Sequence, residues 1–273
     1  MNFFVFIALF GTLAQAWRWP WQRANTPEWD QLSVTWGPLP WKYFNKLPMD
    51  VNKARADGWT LTRSCGASNY FAGNRYVLNG DTAVMLLFDS SGKIAGIQNG
   101  LPKSAPGVLA LKSPWISEGN MYVITAYFTD PKNICGGSRP SSEYIGDKLL
   151  LQTGNQYSQT MSIPFKQEDL AGTKWVRGGC FPSMGRHYWY DISADMNCDD
   201  FYPMFLLYNS DRLTGFGWVA QGNAASSRYE HPPPKKLGLG FFLSDTKPKC
   251  IANIPSLTTQ HVYLEKRPYL SFC

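Results

Sequence analysis

The chain of 273 residues has only three histidines, and it lacks several common signatures of catalysis and cofactor binding. No Gly-x-Ser-x-Gly sequence is present, so the nucleophile turn of an α/β-hydrolase is not expected. No glycine-rich loop opens a helix, which leaves a nucleotide without a phosphate-binding loop. No Cys-x-x-Cys pair is present, although zinc sites commonly space their ligands in this way. We therefore expect no cofactor. Whether the chain is an enzyme stays open, with a preference for a non-enzyme.

The chain also lacks a long apolar run, apart from one at its N-terminus. Residues 3–10 are apolar, and Ala14-Gln15-Ala16 supplies the small residues of a signal-peptidase site, so residues 1–16 predict a signal peptide. The run is shorter than the roughly 20 residues that cross a bilayer. The sequence thus predicts a secreted, extracellular protein without a transmembrane segment.

Charge of one sign is not concentrated anywhere. The 26 basic and 20 acidic residues give a net charge of +6, and the basic residues are scattered. Proteins that bind nucleic acid usually gather their basic residues on one face. A nucleic-acid partner is therefore not expected.

Several segments of the chain occur twice in the same order. The shared features are a tryptophan-led run ending in cysteine, a glycine followed by an aromatic run, an apolar run ending in serine, and a tyrosine followed by proline and cysteine. The matched segments are 59–65 with 175–180, 73–79 with 185–191, 85–90 with 205–210, and 127–135 with 263–273. This repetition predicts an internal duplication.

The repeat also predicts how the six cysteines pair. An even number of cysteines in a secreted protein favours disulfides, but six cysteines allow 15 pairings. If the two halves fold alike, Cys65 pairs with Cys135 and Cys180 with Cys273. Cys198 and Cys250 have no counterparts in the first half, so they are expected to pair with each other.

Between the signal peptide and the first repeat lies an arm rich in tryptophan and proline, residues 17–47. It holds six of the eleven tryptophans of the chain. Tryptophan next to arginine suits a membrane interface, so weak contact with a membrane surface is one interpretation. The preferred interpretation is an extended arm whose rings pack over the domain, because tryptophan buries a large area.

The remaining pattern is mostly β. Residues 82–88 and 93–98 flank the turn 89–92, and residues 203–209 and 212–219 repeat this hairpin. One short helix is expected over residues 49–58, with Asp50 as its cap and Gly58 as its end. The sequence predicts a mainly β protein of two similar antiparallel units, residues 48–163 and 164–273. We expect them to form one compact unit, packed as a sandwich or an open barrel with one or two short helices.

Aromatic residues of the second half give the best indication of a site. Side chains alternate along a strand, so His187 and Trp189 share one face while Tyr188 and Tyr190 share the other. The face with His187 is the more polar and is the candidate lining of a pocket. The first hypothesis is a secreted binding protein that holds a small apolar or carbohydrate ligand with His187, Trp189, Trp218 and Tyr229.

Two other classes of function stay open. Three imidazoles can hold zinc or copper, so a secreted metalloenzyme using His187, His231 and His261 is the first alternative. These histidines lack the spacing of a known metal motif. The second alternative is an extracellular structural or matrix protein without a ligand site.

Overall fold

The fold is that of a computed structural model, which describes residues 27–137, 139, 144–237 and 240–273. The backbone of residues 236 and 237 is included without their side chains. The predicted signal peptide, residues 1–16, and the first part of the arm, residues 17–26, lie outside the described residues.

One sheet is built entirely from the first half of the chain. Its order is β10-β9-β8-β6-β5-β4-β3, all neighbours are antiparallel, and β7 also pairs with β8. In chain order these strands are β3 Trp59–Arg63, β4 Asn74–Leu78, β5 Asp81–Phe88, β6 Ile94–Pro102, β7 Ile116–Glu118, β8 Met121–Tyr127, β9 Leu149–Gln152 and β10 Thr160–Ile163.

The other sheet takes its main strands from the second half. Its order is β11-β12-β13-β14-β15-β1-β2, again antiparallel throughout. The strands are β1 Ser33–Val34, β2 Asn45–Lys46, β11 Trp175–Phe181, β12 Gly185–Tyr190, β13 Met204–Asn209, β14 Arg212–Gln221 and β15 Leu257–Tyr263. The arm thus supplies the last two strands.

The two sheets pack face to face on one hydrophobic core, as in a β-sandwich. Alternate residues of β13 and β14, such as Leu206 and Phe216, meet alternate residues of the first sheet, such as Leu86 and Ile97. The prediction of a mainly β fold with two antiparallel sheets is confirmed. Of the two arrangements expected, the structure has the sandwich.

The two sheets share a strand order and a register. Each begins with four consecutive antiparallel strands and adds a fifth beside the fourth, β8 in one sheet and β15 in the other. The paired residues also correspond: Arg75, Leu87, Gly96 and Tyr127 cross the first sheet as His187, Leu207, Gly215 and Tyr263 cross the second. A common origin of the two halves stays a prediction.

In the part of the chain that the structure describes, helical structure is limited to short segments. Helix α1, Val51–Ala56, begins after Asp50, whose carboxylate accepts from the backbone N–H groups of Asn52 and Lys53. Helix α2 is the single turn Pro234–Leu237. The 3₁₀ turns are Pro131–Asn133, Gln167–Leu170, Cys198–Asp200, Lys249–Asn253 and Pro268–Leu270.

Three disulfides join the same pairs that the repeat predicts. Cys65 and Cys135 tie the end of β3 to the segment after β8, with Cα atoms 5.4 Å apart. Cys180 and Cys273 occupy the matching place in the second sheet at 6.2 Å. Cys198 and Cys250 join two long connections at 5.8 Å. Such bridges are typical of extracellular proteins.

The described part of the arm packs over the domain. Trp29 is buried and donates its indole N–H to the carbonyl of Leu213, 3.0 Å away. Val34 pairs with Val262 of β15. Trp41, in contrast, is 82% exposed. Most of the ring area in residues 27–47 is therefore used for packing.

Candidate functional site

The second sheet has an outer face that points away from the first sheet. His187 and Trp189 of β12, Phe205 of β13 and His261 of β15 lie on this face, while the residues between them face the core. The strands are in register so that Trp189 pairs with Phe205, Phe205 with Gly217, and Gly217 with His261. This register places aromatic and imidazole rings side by side.

Three segments cover these rings without filling the space above them. They are the connection from β1 to β2, the loop that precedes α2, and the segment around Phe241. The cavity between them is partly open to solvent and has a volume of about 350 Å³, and we call it the histidine pocket. Its lining residues are Thr35, Trp36, Gly37, Pro38, Tyr43, Met184, His187, Trp189, Phe205, Ser227, Tyr229, Glu230, His231, Pro232, Phe241, Thr259 and His261.

His187 lies deepest among the polar residues of this wall. The residue is only 1% exposed, and both ring nitrogens are buried. Burial, assisted by the nearby His261, lowers the pKa of His187 to about 3, against the opposing effect of backbone groups at Gly179 and Gly185. The imidazole is therefore neutral at physiological pH.

His261 stands next to His187, with the two ring centroids 6.0 Å apart. Its Nδ1 is 2.7 Å from Oε2 of Glu230. Since an ionised carboxylate only accepts hydrogen bonds, Nδ1 carries the proton of this contact. Nε2 of His261 is buried and has no partner among the described residues.

Glu230 is held firmly in place. Its Oε1 accepts the backbone N–H of Trp36 at 2.6 Å, and its Oε2 accepts the hydroxyl of Thr259 at 3.0 Å. Burial opposes ionisation of this carboxyl, but His261 and the other hydrogen bonds outweigh it and lower the pKa of Glu230. Glu230 therefore orients His261 and adds a negative charge to the wall.

Aromatic rings form most of the remaining wall. The ring of His187 stacks on Trp189 at 5.9 Å and meets Phe241 edge-on at 5.0 Å. Trp189 is fixed in turn, because its indole N–H donates to the carbonyl of Phe241 and its ring stacks on Phe242 at 4.5 Å. The wall is therefore rigid as well as apolar.

The structure brings together three of the four residues that the first hypothesis names. His187, Trp189 and Tyr229 line the histidine pocket. Trp218 does not, because it points into the core between the sheets and donates its indole N–H to Gln260 at 2.9 Å. It lies on the opposite face of the second sheet.

The three histidines of the metal hypothesis line the same cavity. His231 is nevertheless an exposed residue, and its Nδ1 lies 3.2 Å from the carbonyl oxygen of Leu257. Within the described ranges, no group of three or more histidine, cysteine or acidic side chains is arranged to hold a metal ion.

Sequence reasoning missed four important residues of the wall: Trp36, Phe205, Glu230 and Phe241. Phe205 could have been found from the predicted hairpin, because it alternates with core residues of β13. Glu230 directly precedes His231, but nothing in the sequence indicates that it reaches His261. That contact depends on an isolated β-bridge between Glu230 and Thr259.

A second cavity of about 480 Å³ adjoins the first and shares Trp189 with it. Apolar side chains such as Leu111, Val219 and Ile254 make up much of its lining. It does not include His187, Glu230 or His261, which distinguish the histidine pocket, so we regard the histidine pocket as the candidate site.

Comparison with known proteins adds no functional information. No known protein family, curated protein or solved structure matches the chain. Among the described residues, none of the helices has the length and apolar character needed to cross a membrane. The function has to be argued from the residues of the site.

Proposed function

We propose that this is a secreted, extracellular binding protein that holds a small, largely apolar ligand in the histidine pocket. The observation that carries the proposal is a cavity of about 350 Å³ whose lining combines aromatic rings with His187, His261 and the carboxylate of Glu230.

The shape and lining of the cavity agree with this function. Ligand pockets are mostly apolar, with a few placed polar groups, and their volumes begin at roughly 300 Å³. The histidine pocket lies just above that limit at about 350 Å³. A compact planar ligand suits it better than a carbohydrate, because a sugar needs many hydrogen-bonding partners and most of this wall is apolar.

The connection from β1 to β2 is the part of the wall to test first. Trp36 lines the pocket and donates its indole N–H to the hydroxyl of Ser183 at 2.9 Å. Trp41 belongs to the same connection but is exposed and lies outside the lining. The two tryptophans form a matched pair for substitution.

The experiment is a titration of the full chain with a panel of small aromatic compounds, followed by tryptophan fluorescence and calorimetry. We expect at least one compound to bind, and Trp36→Ala to weaken its binding about tenfold or more through loss of ring contact. Trp41→Ala should leave the dissociation constant within about twofold. Equal weakening by both substitutions, or none by either, would contradict the proposed site.

A further inference from the structure

The histidine pocket has a negative wall in a basic protein. Of the residues that line it, Glu230 is the one carboxylate, and none is lysine or arginine. The chain as a whole has a net charge of +6. An anionic ligand would meet Glu230 without any opposing cation. The charge of the pocket therefore favours a cationic ligand.

Glu230 has hydrogen bonds but little charge compensation. Its partners include the backbone of Trp36 and the hydroxyl of Thr259, which are neutral. Its one ion-pair partner within the described residues is His261. Whenever His261 is uncharged, a buried negative charge remains without a counter-charge, which is costly. A cation in the cavity would provide that counter-charge.

The aromatic rings complete the complementarity. Trp36, Trp189, Phe205 and Phe241 all line the cavity. A cation over the face of such rings gains about 0.5–2 kcal/mol, and desolvation increases the gain. An apolar group attached to the cation would fill the rest of the cavity.

We propose that the ligand of the histidine pocket is a cationic compound that carries an aromatic group. Glu230 supplies the counter-charge, and the surrounding rings hold both the cation and its aromatic substituent. This inference rests on the proposed binding function and narrows it to one ligand class.

Calorimetry with three probes of similar shape tests the inference on the unmodified protein. The probes are 2-phenylethylamine, 2-phenylethanol and 3-phenylpropionate at pH 7. The amine should bind about tenfold or more tightly than the alcohol, and the carboxylate should bind most weakly. Equal or tighter binding of the alcohol would overturn the assignment of a cationic ligand and leave the proposed binding function standing. Binding of none of the three would overturn both.

Substitution of Glu230 tests the origin of the preference. Glu230→Gln should weaken binding of the amine about tenfold while changing that of the alcohol by less than about threefold. Glu168→Gln, at a carboxylate that is 75% exposed and distant from the lining, serves as the control. An amine-to-alcohol ratio unchanged by Glu230→Gln would contradict the role of this carboxylate.

Discussion

The outer faces of the two sheets share the same strand register, but their matched polar residues make different contacts. On the first sheet, Arg75 fills the position that His187 occupies on the second. Arg75 donates two hydrogen bonds to Glu118, at 2.8 and 2.7 Å, and its guanidinium lies over the ring of Phe71 at 4.7 Å. On the second sheet, His187 lines the histidine pocket instead. We call the outer face of the first sheet, which carries this ion pair, the closed face. We call the outer face of the second sheet, which borders the histidine pocket, the open face.

A neighbouring pair of matched positions also differs between the two sheets. On the first sheet, Gln98 donates to the hydroxyl of Thr125 at 2.9 Å. On the second sheet, Gly217 and His261 occupy these two places, and the ring of Phe205 takes the space over the glycine. Both outer faces contain a buried polar atom without a hydrogen-bond partner among the described residues, Oε1 of Gln98 on the first sheet and Nε2 of His261 on the second. The difference that places a ligand on the second sheet is the cavity that its outer face borders.

The largest effect is expected from breaking the ion pair of the closed face. Glu118→Ala leaves the guanidinium of Arg75, whose side chain is 6% exposed, without its carboxylate. We expect the free energy of unfolding to fall by about 3–5 kcal/mol, measured by chemical denaturation. The double substitution Arg75→Met with Glu118→Leu should cost far less, since it leaves no buried charge. A loss below about 1 kcal/mol in the single variant would show that the closed face does not depend on the pair.

A comparable effect on the free energy of unfolding is expected when the pH is lowered, because of His187 on the open face. The pKa of His187 is about 3 in the folded protein, below the ordinary value of 6.5. The unfolded chain therefore binds a proton at this residue in a range where the folded chain does not. The stability that His187 contributes is present above about pH 6.5 and is lost as the pH falls toward 3, by about 3–5 kcal/mol in total.

Substitution separates this titration from that of other groups. His187→Phe should flatten the dependence of unfolding free energy on pH between about 6.5 and 3. His231→Phe, at the exposed histidine, should keep the dependence of the unmodified protein. Both variants retain the contribution of Glu230, whose lowered pKa also makes stability fall in acid. An unchanged slope in His187→Phe would show that His187 is not kept neutral by burial.

A smaller effect is expected from adding a side chain to the floor of the open face. A methyl group at Gly217 would overlap the ring of Phe205 and displace it. Gly217→Ala should therefore destabilise the protein by about 1–3 kcal/mol and weaken ligand binding. Gly136→Ala, in the first half, meets no atom within 4 Å and should change stability by less than about 0.5 kcal/mol. Equal thermal midpoints for the two variants would contradict the packing described for Phe205.

The sequence predicted those elements whose signals are local. The hairpin of β5 and β6 follows from two apolar runs around a turn, and α1 follows from Asp50 as its cap. Strands β1 and β2 could not be predicted, because each has two residues and exists only through pairing with β15 or with each other. The pairing of the cysteines could be predicted because the repeat matches segments that lie far apart in the sequence.

The site was predictable only in part, for a similar reason. Alternation along β12 is enough to place His187 and Trp189 on one face. The face taken by Trp218 depends on the pairing of β14 with its neighbours, which includes a register shift near Leu207. The contact between Glu230 and His261 joins residues 31 positions apart through side chains and leaves no periodic pattern. Such long-range contacts decide which polar groups remain free.

The scarcity of histidine makes one measurement especially direct. The chain has three histidines, so the ring carbon-bound proton signals of a labelled sample can be assigned with His187→Phe, His231→Phe and His261→Phe. During titration with 2-phenylethylamine, we predict that the signals of His187 and His261 shift together and saturate at the dissociation constant found by calorimetry. Saturation of binding with both of these signals unmoved would contradict a ligand site on the open face of the second sheet.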